Sequence, residues 1–246
     1  MAERASRLDG RLAIASYNIH SAVGMDRRRS AARIAQVLQE LDCDIYALQE
    51  VDNQPGEHEE SMQLDYLAGV LKMQAVPGLR IVRHTGEYGN AILTRLPIVS
   101  VRRHDLSCAR FEPRGAVDVR LDLRGKPLRV VATHLGLSRS ERRTQWNRLL
   151  VEIGQAPADL PTVLLGDMNE WYRHAATLKE VHRVFGEPPA PAAFPSFAPC
   201  FALTRIWVRP RAALISMQTH RSKLARQASD HLPVRAEIVV GDEVMG

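Results

Sequence analysis

The chain has few cysteines, few lysines and no long apolar segment. Its cysteines, Cys43, Cys108 and Cys200, lie far apart without the spacing of a metal site, so no disulfide framework is expected. No apolar run approaches the roughly 18 to 20 residues that a membrane helix needs. Residues 1–12 are charged and lack the apolar stretch of a secretory signal. We therefore expect a soluble, cytoplasmic protein without integral membrane association.

The composition is that of a globular protein. Of the 246 residues, 45% are hydrophobic and 25% are charged, which excludes a disordered chain, a collagen and a coiled coil. No repeat, low-complexity linker or shift in composition divides the sequence. We therefore expect a single domain over residues 1–246, with its core at residues 11–240, and a monomeric protein.

The charge balance favours an anionic partner. The chain carries 33 Lys and Arg against 28 Asp and Glu, a formal charge of +5. Residues 205–226 contain six basic residues and no acidic one, which predicts a positive face and favours nucleic acid as the partner. Arginine suits phosphate, but the base composition of the genome produces the same excess of arginine over lysine. The six basic residues are Arg205, Arg209, Arg211, Arg221, Lys223 and Arg226.

Short apolar runs alternate with helical patterns along the chain, which predicts a mixed α/β (α+β) fold. Strands are predicted at residues 11–19, 44–51, 89–94, 98–103, 116–123, 128–134, 161–165, 203–208, 214–219 and 232–240. Helices are predicted at residues 30–41, 61–73, 141–155 and 172–185, and residues 188–199 form a proline-rich loop.

Polar residues interrupt or end several of the predicted strands. They are Asn18, Glu50, His134, the Asp167 and Asn169 pair, and the Asp230 and His231 pair. Burying an unpaired carboxylate costs several kcal/mol, so Glu50 needs a cation or another strong partner unless it lies in solvent. Mg²⁺ takes one or two carboxylates together with water and phosphate oxygens, and Asn and His side chains can donate to phosphate. This pattern favours a metal-assisted phosphate site.

The motifs around these residues resemble those of the endonuclease/exonuclease/phosphatase superfamily, which includes pancreatic deoxyribonuclease, abasic-site endonucleases, neutral sphingomyelinases and inositol-polyphosphate phosphatases. The resemblance covers residues 13–239. It implies a four-layered sandwich, with two mixed β-sheets packed face to face and flanked by helices, and metal-dependent hydrolysis of a phosphoester bond. In chain order the motifs are Ser-Tyr-Asn18-Ile-His, Leu-Gln-Glu50-Val, Tyr88-Gly89-Asn90-Ala-Ile-Leu, Thr-His134-Leu, Gly-Asp167-Met-Asn169 and Ser-Asp230-His231-Leu-Pro.

The resemblance also implies roles for these residues. Glu50 resembles the principal ligand of Mg²⁺, for which Mn²⁺ is a possible substitute. Asn18 would help to fix the metal or the phosphate, and Asp230 would approach the metal.

The remaining motif residues resemble the catalytic groups of the family. Asp167 resembles the residue that orients or deprotonates the attacking water, and Asn169 the residue that positions phosphate. His231 resembles the catalytic histidine. His134 looks like the second histidine of the deoxyribonuclease and sphingomyelinase branches, and its alternative is a satisfied histidine at a strand end.

Further residues have two interpretations each. Asn90 and Arg114 either contact phosphate or serve the structure. Arg142 and Gln145 lie either on the substrate side or on a solvated helix surface, and Phe194 and Phe197 either stack on a base or lipid or pack onto the core. The other histidines are interpreted as surface residues, namely His20, His58, His84, His104, His174, His182 and His220.

One position departs from the family pattern. Members usually carry an Asp that partners the catalytic histidine where this sequence has Thr204. Either the Thr204 hydroxyl substitutes, or another carboxylate or a water supplies the partner, or the protein is a catalytically weakened binding homologue. The leading interpretation is a Mg²⁺-dependent phosphodiesterase acting on nucleic acid, and the alternative substrate is a phospholipid or a small phosphoester.

Overall fold

The structure is a computed structural model, and it describes residues 10–56, 58–83 and 86–240. Its strands are β1 (Arg11–Asn18), β2 (Ile45–Asn53), β3 (Gln74–Arg83), β4 (Gly86–Thr94), β5 (Ile98–Asp105), β6 (Gly115–Leu123), β7 (Lys126–His134), β8 (Thr162–Asp167), β9 (Thr204–Arg209), β10 (Leu214–Thr219) and β11 (Val234–Val239). Its α-helices are α1 (Ala31–Leu41), α2 (Gln63–Leu71), α3 (Arg139–Gly154), α4 (Ala176–Phe185) and α5 (Lys223–Ala228).

The strands form two mixed sheets. The first sheet has the order β10-β11-β1-β2-β4-β3 and the second has the order β5-β6-β7-β8-β9. Each sheet contains one parallel pair, β1 with β2 and β7 with β8, and each pair is joined by a helical crossover. The predicted sandwich of two mixed sheets with flanking helices is confirmed.

Helix α1 shows why the crossovers form. Its amino-terminal cap is Ser30, whose hydroxyl accepts a hydrogen bond from the Arg33 N–H at 3.2 Å, and it ends at Asp42 in a left-handed conformation. The apolar residues Ile34 and Leu38 recur at helical spacing and are fully buried against the first sheet.

The core has two parts. The larger part lies between and around the sheets, where side chains such as those of Ala15 and Val163 are fully buried. The smaller part lies under α3 and α4, where Trp146 and Trp207 meet edge to face with ring centroids 5.7 Å apart. The helices therefore cover the outer faces of the sheets, and the inner faces of the sheets pack against each other.

The prediction of the elements was wrong at several places. It missed β3, because Pro77 and Gly78 indicate a break, whereas β3 is an edge strand that accommodates them at a shift of register. It also missed the short helix α5. The bounds of β2, β4, β5, β7, β8, β11, α3 and α4 differ from the predicted ones by two to four residues at one end, and those of α2 by two residues at both ends.

The predicted positive face at residues 205–226 is also wrong. Arg205 is only 4% exposed, and its pKa is lowered, chiefly by burial. Arg209 lies at the other end of β9, where its guanidinium sits over the ring of Phe185, while Lys223 and Arg226 belong to α5. Successive strand residues point to opposite faces, and the chain turns between these elements. Proximity in sequence therefore does not place these charges on one surface.

His104 is not a surface residue, contrary to the prediction. Its ring lies 3.1 Å from an Asp118 carboxylate oxygen and 3.4 Å from a Glu152 oxygen, and Arg129 holds Asp118 through two further hydrogen bonds. Burial opposes ionisation of Asp118, but the hydrogen bonds from His104 and Arg129 outweigh it and lower the pKa of Asp118 to about 2. His84 lies outside the described residues.

Across residues 10–56, 58–83 and 86–240, no helix is both long enough and apolar enough to cross a membrane. Cys43, Cys108 and Cys200, all within the described residues, form no disulfide, and they range from buried Cys43 to exposed Cys200.

Candidate functional site

The polar residues predicted from the strand ends meet at one edge of the sandwich. The parallel pairs place Asn18 beside Gln49 in the first sheet and His134 beside Asp167 in the second. The side-chain amide of Asn18 donates to Glu50 at 2.8 Å and to Asp167 at 3.1 Å. Asn18 therefore joins a carboxylate of one sheet to a carboxylate of the other.

Glu50 reaches the site because the strand is irregular there. The register between β2 and β4 shifts between Leu48 and Val51, and Glu50 adopts a φ of 58°. Burial and the nearby charge of Glu50 raise the pKa of Tyr88, so its phenol stays protonated and hydrogen-bonded to Glu50. The carboxylate thus has polar partners while it remains partly open to solvent.

Asp167 is the buried centre of the site. Its carboxylate accepts a hydrogen bond from the Asn169 N–H at 3.0 Å and lies 3.9 Å from His134 Nε2 and 3.7 Å from His231 Nε2. Burial opposes its ionisation, yet the two histidines and the hydrogen bonds together hold the pKa of Asp167 below its usual value. Gly166 permits this arrangement, because a Cβ there would lie 1.8 Å from the Thr133 carbonyl oxygen.

His134 lies between two donors. The Arg114 guanidinium is 3.0 Å from Nδ1, and the Asn169 amide is 3.0 Å from Nε2 and also donates to the Leu135 carbonyl at 2.7 Å. Burial is the largest cause of the lowered pKa of His134, and the charge of Arg114 lowers it further. A neutral ring offers one acceptor nitrogen, so the two donors compete for it. His134 is therefore an uncharged member of the site.

His231 is held from one side only. Its ring packs against Phe194, with centroids 4.6 Å apart, and its backbone N–H donates to the Ser229 hydroxyl at 3.2 Å. Neither His231 Nδ1 nor the Thr204 hydroxyl, both buried, has a hydrogen-bond partner among the described protein atoms. The interpretation in which the Thr204 hydroxyl takes the place of the missing Asp is therefore wrong.

Asp230 and His20 lie together beside Asn18. The Ser229 hydroxyl lies 2.8 Å from the Asn18 carbonyl and 3.3 Å from Asp230, and His20 Nδ1 is 3.7 Å from Asp230. His20 begins a turn of three successive residues with positive φ, and its N–H donates to the Asn18 side-chain oxygen at 3.0 Å. Sequence reasoning assigned His20 to the surface, although its place two residues after Asn18 could have indicated the site.

The residues with two interpretations divide clearly. Arg114 belongs to the site through His134, whereas the Asn90 amide donates to the Gly115 carbonyl at 3.1 Å. Both interpretations of Arg142 and Gln145 are wrong, because these side chains are buried beneath the loops that follow β7 and β8. Amphipathic periodicity does not reveal such residues, since they are polar groups on the buried face of α3.

The donor set suits a hard cation with few protein ligands. Among the described residues no three His, Cys, Asp or Glu side chains are grouped to hold a metal. Glu50 nevertheless offers a carboxylate that Asn18 contacts, and Asp230 offers a second one, 35% exposed, which the Ser229 hydroxyl links to the Asn18 carbonyl. Mg²⁺ is bound by one or two carboxylates together with water and substrate phosphates, so these residues fit it.

Comparisons with known proteins cover nearly the whole chain. The chain is 29% identical to the uncharacterised protein YbhP of Escherichia coli K12, over 92% of the chain and 95% of that protein. The similarity to the solved mannosyl-6-phosphatase Bt3783 of Bacteroides thetaiotaomicron extends over 93% of this chain and 100% of the phosphatase chain, with a TM-score of 0.76 and 20% identity. TDP2 of D. rerio, complexed with a single-strand DNA product, covers 94% of this chain and 100% of its own, with a TM-score of 0.70 and 19% identity. A model of the endonuclease/exonuclease/phosphatase family matches residues 15–231, and the chain therefore belongs to that family.

Proposed function

We propose that the chain is a Mg²⁺-dependent phosphodiesterase that acts on nucleic acid. Members of its family are hydrolases of phosphoester bonds and generally depend on a divalent metal. The observation that carries the proposal is the Asn18 amide, which joins Glu50 to Asp167 while two histidine rings lie within 4 Å of Asp167.

The metal would be held on the Glu50 side of the site. Glu50 and Asp230 would supply carboxylates and Asn18 would help to fix the metal, with Mn²⁺ as a possible substitute for Mg²⁺. When bound, the metal neutralises charge on the phosphoryl oxygens and the leaving group. Tyr88 holds the Glu50 carboxylate in place.

Asp167 would orient the attacking water. Its lowered pKa keeps the carboxylate ionised, so it accepts a hydrogen bond from water and fixes the direction of attack. His231 Nε2 lies 3.7 Å from a carboxylate oxygen of Asp167 and would take or return a proton. His134 is neutral and donates or accepts a hydrogen bond without adding charge.

The phosphate would bind beside Asn169 and Arg114, which flank the His134 ring. A guanidinium matches two phosphate oxygens, and Arg114 reaches the site from the second sheet through His134. Asn169 lies on the other side of the same ring. Asn90 stays a prediction as a phosphate contact, since its amide donates to a backbone carbonyl.

A second candidate is a binding homologue with weakened chemistry. His231 Nδ1 is buried without a hydrogen-bond partner among the described protein atoms, so no carboxylate there fixes the ring or stabilises its charged form. The cytoplasmic location and the monomeric state remain predictions.

The test is hydrolysis of bis(4-nitrophenyl) phosphate by the purified protein with Mg²⁺ or with EDTA. We expect a rate that requires Mg²⁺ and that Asp167→Asn abolishes, which also excludes a contaminating enzyme. A single-stranded oligonucleotide, phosphatidylcholine liposomes and 4-nitrophenyl phosphate then compare the three classes of substrate. Absence of hydrolysis with all four substrates would support the binding homologue.

A further inference from the structure

Three aromatic rings form a continuous surface beside His231. Trp171 meets Phe194 edge to face at 5.7 Å and Phe201 at 4.9 Å, and Phe194 packs on the His231 ring at 4.6 Å. We call Trp171, Phe194 and Phe201 the aromatic platform. The chain is only 5% aromatic, so three rings grouped at one edge of the site indicate a function for this surface.

Core packing does not account for the platform. Trp171 is 42% exposed and Phe201 is 38% exposed, whereas the other tryptophans, Trp146 and Trp207, are buried in the smaller part of the core. Large aromatic side chains in solvent mark a binding surface when they are grouped and held. Trp171 also follows Asn169 by two residues, so it lies next to the proposed phosphate contact.

The loop that carries Phe194 and Phe201 is hydrogen-bonded to the loop that carries Asp230 and His231. Phe194 and Phe201 pair through backbone hydrogen bonds of 3.1 and 2.9 Å. The Ser196 N–H donates to the Asp230 carbonyl at 2.7 Å, and the Leu232 N–H donates to the Ala193 carbonyl at 2.8 Å. A surface that is already ordered loses little entropy when a ligand binds.

The positive charge of Arg226 beside the platform favours a nucleic acid strand. The Arg226 guanidinium donates to the carbonyls of Ser196 and Phe197 at 3.2 and 3.1 Å, which places a cation against the same loop. A planar ring attached to an anionic backbone matches both features, since bases stack on aromatic side chains while cations follow the phosphates.

We propose that the aromatic platform stacks a base of a single-stranded nucleic acid next to the phosphate that is cleaved. The inference rests on the proposed function and names the part of the substrate that the enzyme recognises. It also gives the nucleic-acid preference a structural basis in which Arg226 takes part, although residues 205–226 do not form one positive face.

Binding can be measured without catalysis, in EDTA, with two 3′-labelled single-stranded probes. One is a hexathymidylate and the other is a hexamer of abasic residues with the same backbone. We expect fluorescence anisotropy to show about tenfold tighter binding of the hexathymidylate, the size typical of one stacked base. Trp171→Leu and Phe201→Leu should each reduce that preference and leave the affinity for the abasic hexamer unchanged.

Phe197→Leu is the matched control. Phe197 is 65% exposed on the same loop, yet it is not one of the rings in the described platform contacts. Trp171 is also the one exposed tryptophan of the three, so hexathymidylate should quench its fluorescence in the unlabelled wild-type protein. Circular dichroism shows whether each variant is folded. If Trp171→Leu does not fold, Phe201→Leu alone tests the inference.

Equal affinity of the wild-type protein for the two hexamers would overturn the inference. So would an equal loss of preference in Phe197→Leu, or quenching by phosphatidylserine vesicles without quenching by hexathymidylate, which would indicate a lipid surface. Hydrolysis of bis(4-nitrophenyl) phosphate separates the two proposals. Hydrolysis without base preference refutes the platform alone, whereas base preference without any hydrolysis refutes the proposed function alone.

Discussion

A buried ion pair behind the site should be required for both stability and activity. Arg142 and Glu170 have side chains only 2% and 4% exposed, and two guanidinium nitrogens lie 3.3 and 3.5 Å from the carboxylate oxygens. The same guanidinium donates to the carbonyls of Gly136 and Leu137 at 3.3 and 2.6 Å. Arg142 therefore ties the loop after His134 to the residue that follows Asn169.

The change Arg142→Met keeps most of the side-chain volume and removes every one of these donors. It leaves the Glu170 carboxylate buried without its cation, and breaking a buried pair in this way costs about 3–5 kcal/mol. The lost hydrogen bonds to two carbonyls act in the same direction. We expect the free energy of unfolding to fall by that amount, and kcat to fall more than KM rises, because the loops that carry His134 and Asn169 lose their common anchor.

Urea denaturation measures the stability, and the double variant Arg142→Met/Glu170→Leu is the matched control. Removing both charges leaves no buried carboxylate without its Arg142 partner, so the double variant should be more stable than Arg142→Met alone. Arg142→Lys should recover part of the loss in kcat, since it restores a charge but not the two-nitrogen contact. A loss below about 1 kcal/mol in Arg142→Met, the size typical of an exposed pair, would refute the reasoning.

Three further predictions concern single positions. Thr204→Asp places a carboxylate one strand away from Asp167, so in a working enzyme kcat should change little, whereas a large gain in steady-state hydrolysis would indicate the weakened homologue. Asp118 has a lowered pKa, so its contribution to stability is present above its usual pKa of 3.8 and is lost as the pH falls towards about 2. The free energy of unfolding should fall by about 2 kcal/mol over that range, and Asp118→Asn should remove this dependence in denaturant titrations. Gly166→Ala adds a Cβ at a φ of 150° and against a carbonyl, so thermal unfolding should show a destabilisation of at least about 1–3 kcal/mol, with a loss of hydrolysis.

Sequence patterns predicted most elements and the central site residues. Period-two and helical apolar patterns are local, so they predict strands and helices directly, and polar residues that end apolar strands stand out against them. Asn18, Glu50, His134, Asp167 and His231 were found in this way, and the structure brings them together.

Only the tertiary structure decided what lies next to these residues. Arg142 and Gln145 are polar, so sequence favoured a solvated or substrate-facing position, but the loops after β7 and β8 need buried donors and acceptors beneath them. His20 reaches Asp230 because three successive left-handed residues turn the chain back. Neither the strained turn nor the buried pair leaves a periodic signal.

The same distinction separates the basic residues from the aromatic platform. Residues 205–226 are close in sequence and scattered in space, because β9 separates Arg205 from Arg209 along the strand and the chain then continues into β10 of the other sheet. Trp171, Phe194 and Phe201 are spread over some thirty residues of sequence. Phe194 and Phe201 meet because their backbones pair, and the Trp171 ring packs against both. Sequence by itself determined the elements and the chemistry of their ends. Long-range packing decided which of those ends share a site, because contacts between distant segments depend on how the sheets are assembled.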